Sequence, residues 1–225
     1  MNEAWIIDAA RTPRGIGKKG RGALAEIHPQ KILSTVFRSL VERTNISTSD
    51  IDDVIVSCSH QFMKQGNCIG RMAALDAGFS INASGVTLDR FCGGGITSVN
   101  LGAATIMSGM EDLIVAGGVE VMSYYREVEP PNTLDAGNID LREAHPQLSV
   151  GIAADVIASE EGFSRDSLDA FSAESQRRAG AALESGAFTR SLVPVYNSDG
   201  SLALDTEQYP RPATTAEQLG QLKPA

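Results

Sequence analysis

The sequence predicts an α/β protein in which helices flank a mixed, mostly parallel sheet. Over residues 1–120, short apolar runs alternate with longer segments of helical period, the pattern of strands joined by crossover helices. With 225 residues, 42 % of them apolar, the chain can bury a sizeable core. No apolar run approaches the roughly 20 residues of a membrane span.

The elements of residues 1–120 follow in βαβαβαβ order. The first helix has one apolar face, because its apolar residues recur at i, i+3, i+4 and i+7. The predicted strands are Ala4–Asp8, Val54–Cys58, Val86–Asp89 and Leu113–Ala116. The predicted helices are Pro29–Arg43, Cys68–Ala77 and Gly95–Ser108.

Residues 121–225 are predicted to form a separate domain that begins irregularly. Residues 121–150 contain three prolines and no sustained period. Helices are predicted at Ile152–Glu161 and Arg165–Glu184, the second with Ser164 as its N-cap and Gly186 as its C′ glycine.

Two turn signals follow these helices. The pair Asp199-Gly200 stands between two apolar runs and predicts a hairpin. Thr214 lies three residues before Glu217, the spacing of a capping box, and predicts a short helix.

The net charge and the cysteine content limit the binding partners and the compartment that are expected for this protein. The chain has 28 acidic and 19 basic residues and a formal charge of −9, which argues against nucleic-acid or membrane-surface binding. Three cysteines and the absence of a signal-peptide pattern predict a cytoplasmic protein. One glycine-rich loop is basic, which fits either a solvated loop or a face for an anionic ligand: Arg11, Arg14, Lys18, Lys19 and Arg21.

Cys92 is the candidate catalytic residue, placed between a predicted strand and a predicted helix and followed by three glycines. The N–H groups at a helix amino terminus stabilise an anion, and the thiolate is the nucleophilic form of cysteine. Glycines let a substrate and its oxyanion approach the backbone closely. A helix terminus contributes only about 0.3–1 kcal/mol, so a second activating group is needed, normally a histidine.

The chain has three histidines that are candidates for this base. His28 precedes a helix and His145 lies in the irregular stretch, whereas His60 follows a strand and is placed to approach the same end of the sheet. An alternative stays open, in which Cys92 is a buried structural cysteine in a glycine-rich turn. The helix after it is rich in small residues, which predicts a central helix enclosed on several sides and a deeply placed nucleophile: Gly102, Ala103, Ala104, Ser108 and Gly109.

Other ligand classes fit the sequence poorly. The chain has neither the phosphate-loop pattern G-x-x-x-x-G-K-[ST] nor the dinucleotide-binding pattern G-x-G-x-x-G immediately after a predicted strand. Cys58 and Cys68 lack the spacing and partners of metal ligands, so no metal site is expected, and Cys58 is best explained as a packed small hydrophobe.

The segment VTLDRFCGGGITSVNLGAATIMSGMEDLIVAGGVEVMS resembles the nucleophile segment of thiolases, the acetyl-CoA acetyltransferases and 3-ketoacyl-CoA thiolases. Further resemblance lies in WIIDAARTPRG, in VSCSHQFMKQGNCIGRMAAL, in the helical stretch that begins GIAADVIASEEGF, and in RPATTAEQLGQLKPA. Together these segments cover essentially the whole chain.

The resemblance implies a thiolase N-terminal half, with 1–120 as the α/β core and 121–225 as an inserted loop domain on the coenzyme A side. It implies that Cys92 accepts the acyl group from acyl-CoA or 3-ketoacyl-CoA and passes it to coenzyme A or to acetyl-CoA. Coenzyme A is then a substrate, no cofactor or metal is implied, and a homodimer or tetramer is expected.

Two departures from the family pattern affect these expectations. Family members continue for nearly as much chain again, and that part supplies the activating histidine, a second cysteine and an asparagine, while the last strand of the first half is also missing. Ser149-Val150 stands where many members have His-Met, which leaves the acyl-chain preference open.

The expected consequence is a chain that is inactive in thiolysis by itself. Two other functions stay open: a non-catalytic subunit that pairs with a separate chain carrying the C-terminal half, and a ketoacyl-synthase-like condensing enzyme of the same fold.

Overall fold

The computed structural model describes residues 3–124 and 134–223. The helices are α1 (Pro29–Thr44), α2 (Ile69–Asp76), α3 (Gly94–Ser108), α4 (Ile139–Ala144), α5 (Val150–Glu160), α6 (Arg165–Glu184) and α7 (Ala216–Gly220). The strands are β1 (Asp53–Ser57), β2 (Val86–Leu88), β3 (Ile114–Gly118), β4 (Val195–Tyr196) and β5 (Leu202–Leu204). Short 3-10 turns lie at Thr48–Asp50, Met63–Gln65 and Phe91–Gly93.

The chain forms two compact units. The first contains the described residues up to 124 together with Thr189–Tyr209. The second contains the described residues from 134 to Phe188 and those from Pro210 onward. The chain therefore returns to the first unit after α6. A single domain boundary at residue 120 does not account for this return. The assignment of 121–225 to a loop domain on the coenzyme A side stays a prediction.

The first unit is built on a parallel sheet with strand order β2-β1-β3. Alternate residues of β1 face opposite sides: Val56 lies against Gly70 of α2, and Ser57 lies against Gly94 of α3. Helices therefore cover both faces of this sheet, as the βαβ pattern predicts. The predicted strands at residues 54–58, 86–89 and 113–116 are confirmed to within two residues.

The main core of the first unit lies between the sheet and the pair α1 and α2. The apolar face of α1 provides Leu33 and Phe37, and Phe37 stacks on Phe79 at 5.4 Å between ring centroids. Cys58 is 1 % exposed within this cluster, which confirms its prediction as a packed small residue.

The predicted strand Ala4–Asp8 is wrong, because these residues have no strand partner among the described residues. Trp5 and Ile6 are 77 % and 78 % exposed. Pairing begins only at Arg11, which forms one isolated parallel bridge with Leu192. An apolar run becomes a strand only where a neighbour takes up its backbone hydrogen bonds.

The basic loop is held by the returning segment Thr189–Tyr209. The Glu207 carboxylate has no exposed surface and forms ion pairs with Arg11 and Arg14. The Gln208 side chain accepts from the N–H groups of Ile16 and Ala23 and donates to Arg21 O. Arg11 and Arg14 of the basic loop thus have an internal partner in Glu207.

The second unit contains α4 to α7. The end signals of α6 are confirmed: Ser164 Oγ accepts from Ser167 N at 3.2 Å, and Gly186 follows the helix with φ of +68°. The helix α4 lies inside the stretch predicted to be irregular, which is a correction, and residues 125–133 of that stretch lie outside the described residues.

The predicted hairpin and the predicted short helix with a capping box are both present. The hairpin around Asp199-Gly200 is confirmed by the antiparallel pairing of β4 with β5, and Gly200 has φ of +84°. The capping box of α7 is formed by Thr215 and Gln218, one residue later than predicted, because Thr215 rather than Thr214 occupies the N-cap.

Across the two described ranges, no helix has the length and apolarity needed to cross a membrane.

Candidate active site

The candidate site lies where the three parallel strands end. In register, Ser57 of β1 faces Leu88 of β2 and Gly118 of β3, so the carboxyl ends of the strands share one edge. Ligand sites of open parallel sheets lie at this edge. The residues that follow the three strands bring His60, Cys92 and Glu120 to the same edge of the sheet.

Cys92 is exposed and lies in the turn between β2 and α3. The alternative of a buried structural cysteine is therefore wrong. The turn is closed by three hydrogen bonds: Phe91 N donates to Asp89 Oδ1 at 2.8 Å, Gly93 N donates to Arg90 O at 3.0 Å, and Gly94 N donates to Phe91 O. Phe91 has φ of +46°, an unusual conformation for a residue with a Cβ.

The three glycines after Cys92 have different surroundings. A Cβ on Gly94 would lie 1.6 Å from Ser57 Oγ, whereas a Cβ on Gly95 would meet no atom within 4 Å. Gly94 therefore lets α3 approach the end of β1, and Gly95 leaves the helix terminus open.

No side chain caps the amino terminus of α3. The N–H of Gly94 donates to Phe91 O in the preceding 3-10 turn, and the next N–H groups of the first turn, which have no acceptor within α3, can stabilise an anion beside Cys92.

The prediction that α3 is enclosed on several sides is wrong for the described chain. Gly94, Ser98 and Gly102, spaced by four residues, are buried against the sheet. The rest of the helix is open, with Ile96 72 % and Leu101 47 % exposed. Small residues on one face allow close approach of one layer, and they do not by themselves supply a second layer.

A buried polar cluster lies beside the strand ends. Gln65 has no exposed surface; its Nε2 donates to Glu120 Oε1 at 2.7 Å and to His60 O at 3.1 Å, and its Oε1 accepts from Val121 N at 2.7 Å. The other carboxylate oxygen of Glu120 accepts from Ser59 N at 2.9 Å. The cluster joins the segments that follow β1 and β3.

The three candidate bases belong to three different segments of the chain. His60 Nδ1 is 3.3 Å from Glu120 Oε1, at the sheet edge predicted for it. His28 is the N-cap of α1, where Nδ1 accepts from Gln30 N at 3.3 Å, and burial lowers its pKa. His145 follows α4 in the second unit. Of the two histidines in the first unit, His60 is thus the one placed at the edge where Cys92 lies.

The other two cysteines are involved in packing. The Cys68 thiol donates to Gly85 O at 3.4 Å. Burial raises the pKa of the Cys58 thiol from 9.0 to about 12, and the Glu120 carboxylate adds to the shift. No cluster of three metal-ligating side chains occurs in the part of the chain that the structure describes.

We expect Cys58 to make the protein sensitive to alkaline pH. Its raised pKa gives a contribution to stability that is fully present below pH 9.0 and is lost as the pH rises towards about 12. The free energy of unfolding should fall by up to about 1.4 kcal/mol per pH unit in that window. Urea unfolding from pH 8 to pH 11 should show a steeper decline for the natural chain than for Cys58→Ala. Parallel declines would contradict the assignment.

Sequence reasoning missed Asp89, Gln65 and Glu120. Each is a polar residue within a few positions of a strand or helix end, which is the available signal. This signal is weak, because the hydrogen bond from Gln65 to Glu120 joins residues 55 positions apart and no local pattern shows it.

A comparison with known protein families shows which family the sequence matches. The family model of the thiolase N-terminal domain matches residues 4–225.

The chain belongs to the thiolase family.

Three similar proteins show how much of a thiolase the chain represents. It is 35 % identical to an acetyl-CoA acetyltransferase of Thiocystis violacea, over 98 % of the chain and 58 % of that protein. It is 34 % identical to a steroid 3-ketoacyl-CoA thiolase of Mycobacterium tuberculosis, over 98 % of the chain and 55 % of that protein. It is 35 % identical to a 3-ketoacyl-CoA thiolase of Cronobacter sakazakii, over 100 % of the chain and 58 % of that protein. This thiolase chain thus spans between half and two thirds of these relatives.

Proposed function

We propose that this thiolase chain carries the acyl-accepting part of a thiolase active site. Cys92 Sγ attacks the carbonyl carbon of an acyl-CoA, the bond from that carbon to the coenzyme A sulfur breaks, and an acyl thioester forms on Cys92. The proton lost by the Cys92 thiol passes to the departing coenzyme A sulfur. With a 3-ketoacyl-CoA, the bond broken is between carbons 2 and 3, and the proton passes to carbon 2 of the departing acetyl-CoA.

The observation that carries this proposal is an exposed Cys92 immediately before the uncapped amino terminus of α3. The open position at Gly95 gives room for the carbonyl oxygen beside backbone N–H groups. The relatives support the substrate class, because their names include both acetyl-CoA acetyltransferases and 3-ketoacyl-CoA thiolases. Coenzyme A esters are the substrates in this proposal, and no metal or prosthetic group takes part.

We further propose that the base for Cys92 and the catalyst for the carbon-bound proton lie in protein outside these 225 residues. Exposed apolar side chains on α3, among them Ile96 and Met107, fit a layer that is packed on this helix in the complete enzyme. The complete enzyme is expected to be a homodimer or tetramer. The 225 residues alone should accept an acyl group slowly and show negligible thiolysis.

The test is acylation of the purified 225-residue chain by acetyl-CoA, followed by mass spectrometry of its peptides. We expect one acetyl group on the peptide that contains Cys92, and none on it in Cys92→Ser. Cys68→Ser, which leaves Cys92 and Gly95 in place and keeps a donor for Gly85 O, serves as the folded control. A folded chain that acquires no acyl group at Cys92 would instead favour a non-catalytic subunit. Rapid thiolysis by the verified chain would contradict the missing-base proposal.

A further inference from the structure

We propose that Asp89 is the positioning residue of Cys92, holding the turn that places the sulfur at the amino terminus of α3. The inference rests on the proposed function, because it concerns the residue that accepts the acyl group. Asp89 acts through the backbone and does not contact the reacting atoms.

The first observation is the conformation of the residue between Asp89 and Cys92. Phe91 has φ of +46°, and the residue is 64 % exposed. A left-handed conformation costs a residue with a Cβ about 1–2 kcal/mol. An exposed ring gains little from packing, so burial does not offset this cost. Two backbone hydrogen bonds, from Gly93 N to Arg90 O and from Gly94 N to Phe91 O, help to hold this conformation, and Asp89 adds a side-chain contact by accepting from Phe91 N at 2.8 Å.

The second observation is that both ends of the turn are fixed. Cys58 N donates to Leu88 O at 3.0 Å, which holds the end of β2 on β1. At the other end, Gly94 lies against Ser57, which fixes the start of α3. Between these points the path of the backbone determines where the Cys92 side chain points. A short side chain that closes a local turn is the means by which Asp and Asn fix such paths.

The chemistry of Asp89 also gives a matched set of variants. Asparagine carries the same acceptor at the same distance from the backbone and has no charge. Glutamine carries that acceptor one methylene group further out and cannot close the two-residue turn. Alanine has no acceptor. Asp89→Asn, Asp89→Gln and Asp89→Ala therefore share a neutral side chain and differ in whether the bond to Phe91 N can form.

The experiment compares the rates at which iodoacetamide labels each cysteine of the 225-residue chain, read from peptides by mass spectrometry. We expect Cys92 in Asp89→Ala and in Asp89→Gln to be labelled about two- to fivefold more slowly than in Asp89→Asn. That factor is the loss of thiolate stabilisation by a helix terminus. Cys58 is buried and should stay unlabelled in every folded variant, so that its labelling reports loss of the fold.

The outcomes separate the role of Asp89 from the stability of the fold. Equal labelling of Cys92 in Asp89→Asn and Asp89→Gln, with Cys58 protected, would overturn the inference. If Cys58 becomes labelled in Asp89→Ala, that variant has lost its fold, and the test then rests on the labelling rates of Cys92 in Asp89→Asn and Asp89→Gln.

Failure of the proposed function has a different signature. In that case acetyl-CoA would not acylate Cys92 in the natural chain, while the order of iodoacetamide labelling would be unchanged.

Discussion

Replacing Gly94 by alanine should lower the free energy of unfolding of the first unit by about 3 kcal/mol, near the upper end of what overpacking costs. The added Cβ would lie 1.6 Å from Ser57 Oγ and 2.6 Å from Ser57 Cβ. Rotation about the Cα–Cβ bond can move the Ser57 Oγ, but the Cβ cannot move aside, because Ser57 belongs to the central strand β1 and is 6 % exposed. Relief requires α3 to shift away from the sheet, which also moves Cys92.

The neighbouring glycine provides the matched control. A Cβ on Gly95 meets no atom within 4 Å, and its place in the first turn of α3 has no need for glycine. Gly95→Ala should therefore raise the free energy of unfolding by about 0.5–1 kcal/mol, the ordinary gain of alanine over glycine in a helix. Two adjacent glycines are thus expected to respond with opposite signs.

Unfolding is best followed by urea titration with a pulse of alkylation at Cys58. That thiol is 1 % exposed in the core of the first unit, so its labelling reports the unfolding of this unit alone. In the Gly94→Ala background, Ser57→Gly should restore more stability than Ser57→Ala, because only glycine removes both clashing atoms. A Gly94→Ala chain as stable as the natural one would show that α3 does not approach β1 this closely.

The sequence patterns predicted the elements whose determinants are local. The apolar face of α1, the signals at the ends of α6 and the Asp199-Gly200 turn depend on residues within a few positions of each other. Each of these predictions is confirmed. The family of the chain was likewise evident from its motifs, since the Cys92 segment is a continuous stretch.

The predictions that failed depend on what lies opposite an element. The run AWIID has the composition of a strand, but no described strand lies beside it, and Trp5 is 77 % exposed. The small residues of α3 predict enclosure on several sides, yet only the face of Gly94, Ser98 and Gly102 is covered in the described chain. The residues of an element show which of its faces can be buried. Which neighbour buries that face depends on residues in other parts of the protein.

The same reasoning explains why part of the candidate site was predictable. Cys92 could be found because a thiol between a strand and a helix is a local arrangement. Its supports come from distant parts of the chain: Ser57 precedes Gly94 by 37 positions, and Gln65 precedes Glu120 by 55. These pairs follow from the parallel register of β1 with β2 and β3, which no single element specifies.

The second large effect is expected at Gln65. In Gln65→Leu, Val121 N loses its acceptor, and Glu120 Oε1 and His60 O lose the amide donor. A buried polar group left without a partner costs about 1–3 kcal/mol. The free energy of unfolding of the first unit should therefore fall by about 2–4 kcal/mol, because more than one group is affected. Gln61→Leu is the matched control, since Gln61 is exposed and its replacement should change stability by less than about 0.5 kcal/mol.

The variant Gln65→Glu distinguishes the loss of the hydrogen bonds of Gln65 from the loss of its packing. The new side chain has nearly the same shape and can still accept from Val121 N, but it places a carboxylate where the amide of Gln65 lies 2.7 Å from Glu120 Oε1. Two such carboxyl groups hold a shared proton, so the folded pKa of the pair is raised. The stability from this proton is present below the unfolded pKa of about 4.3 and is lost as the pH rises through the raised value. The free energy of unfolding of Gln65→Glu should thus approach that of the natural chain near pH 5 and fall well below it at pH 7. The free energy of unfolding of Gln65→Leu should not show this additional loss between pH 5 and pH 7. Similar deficits for Gln65→Glu at both pH values would show that the cluster stabilises the strand ends through packing alone.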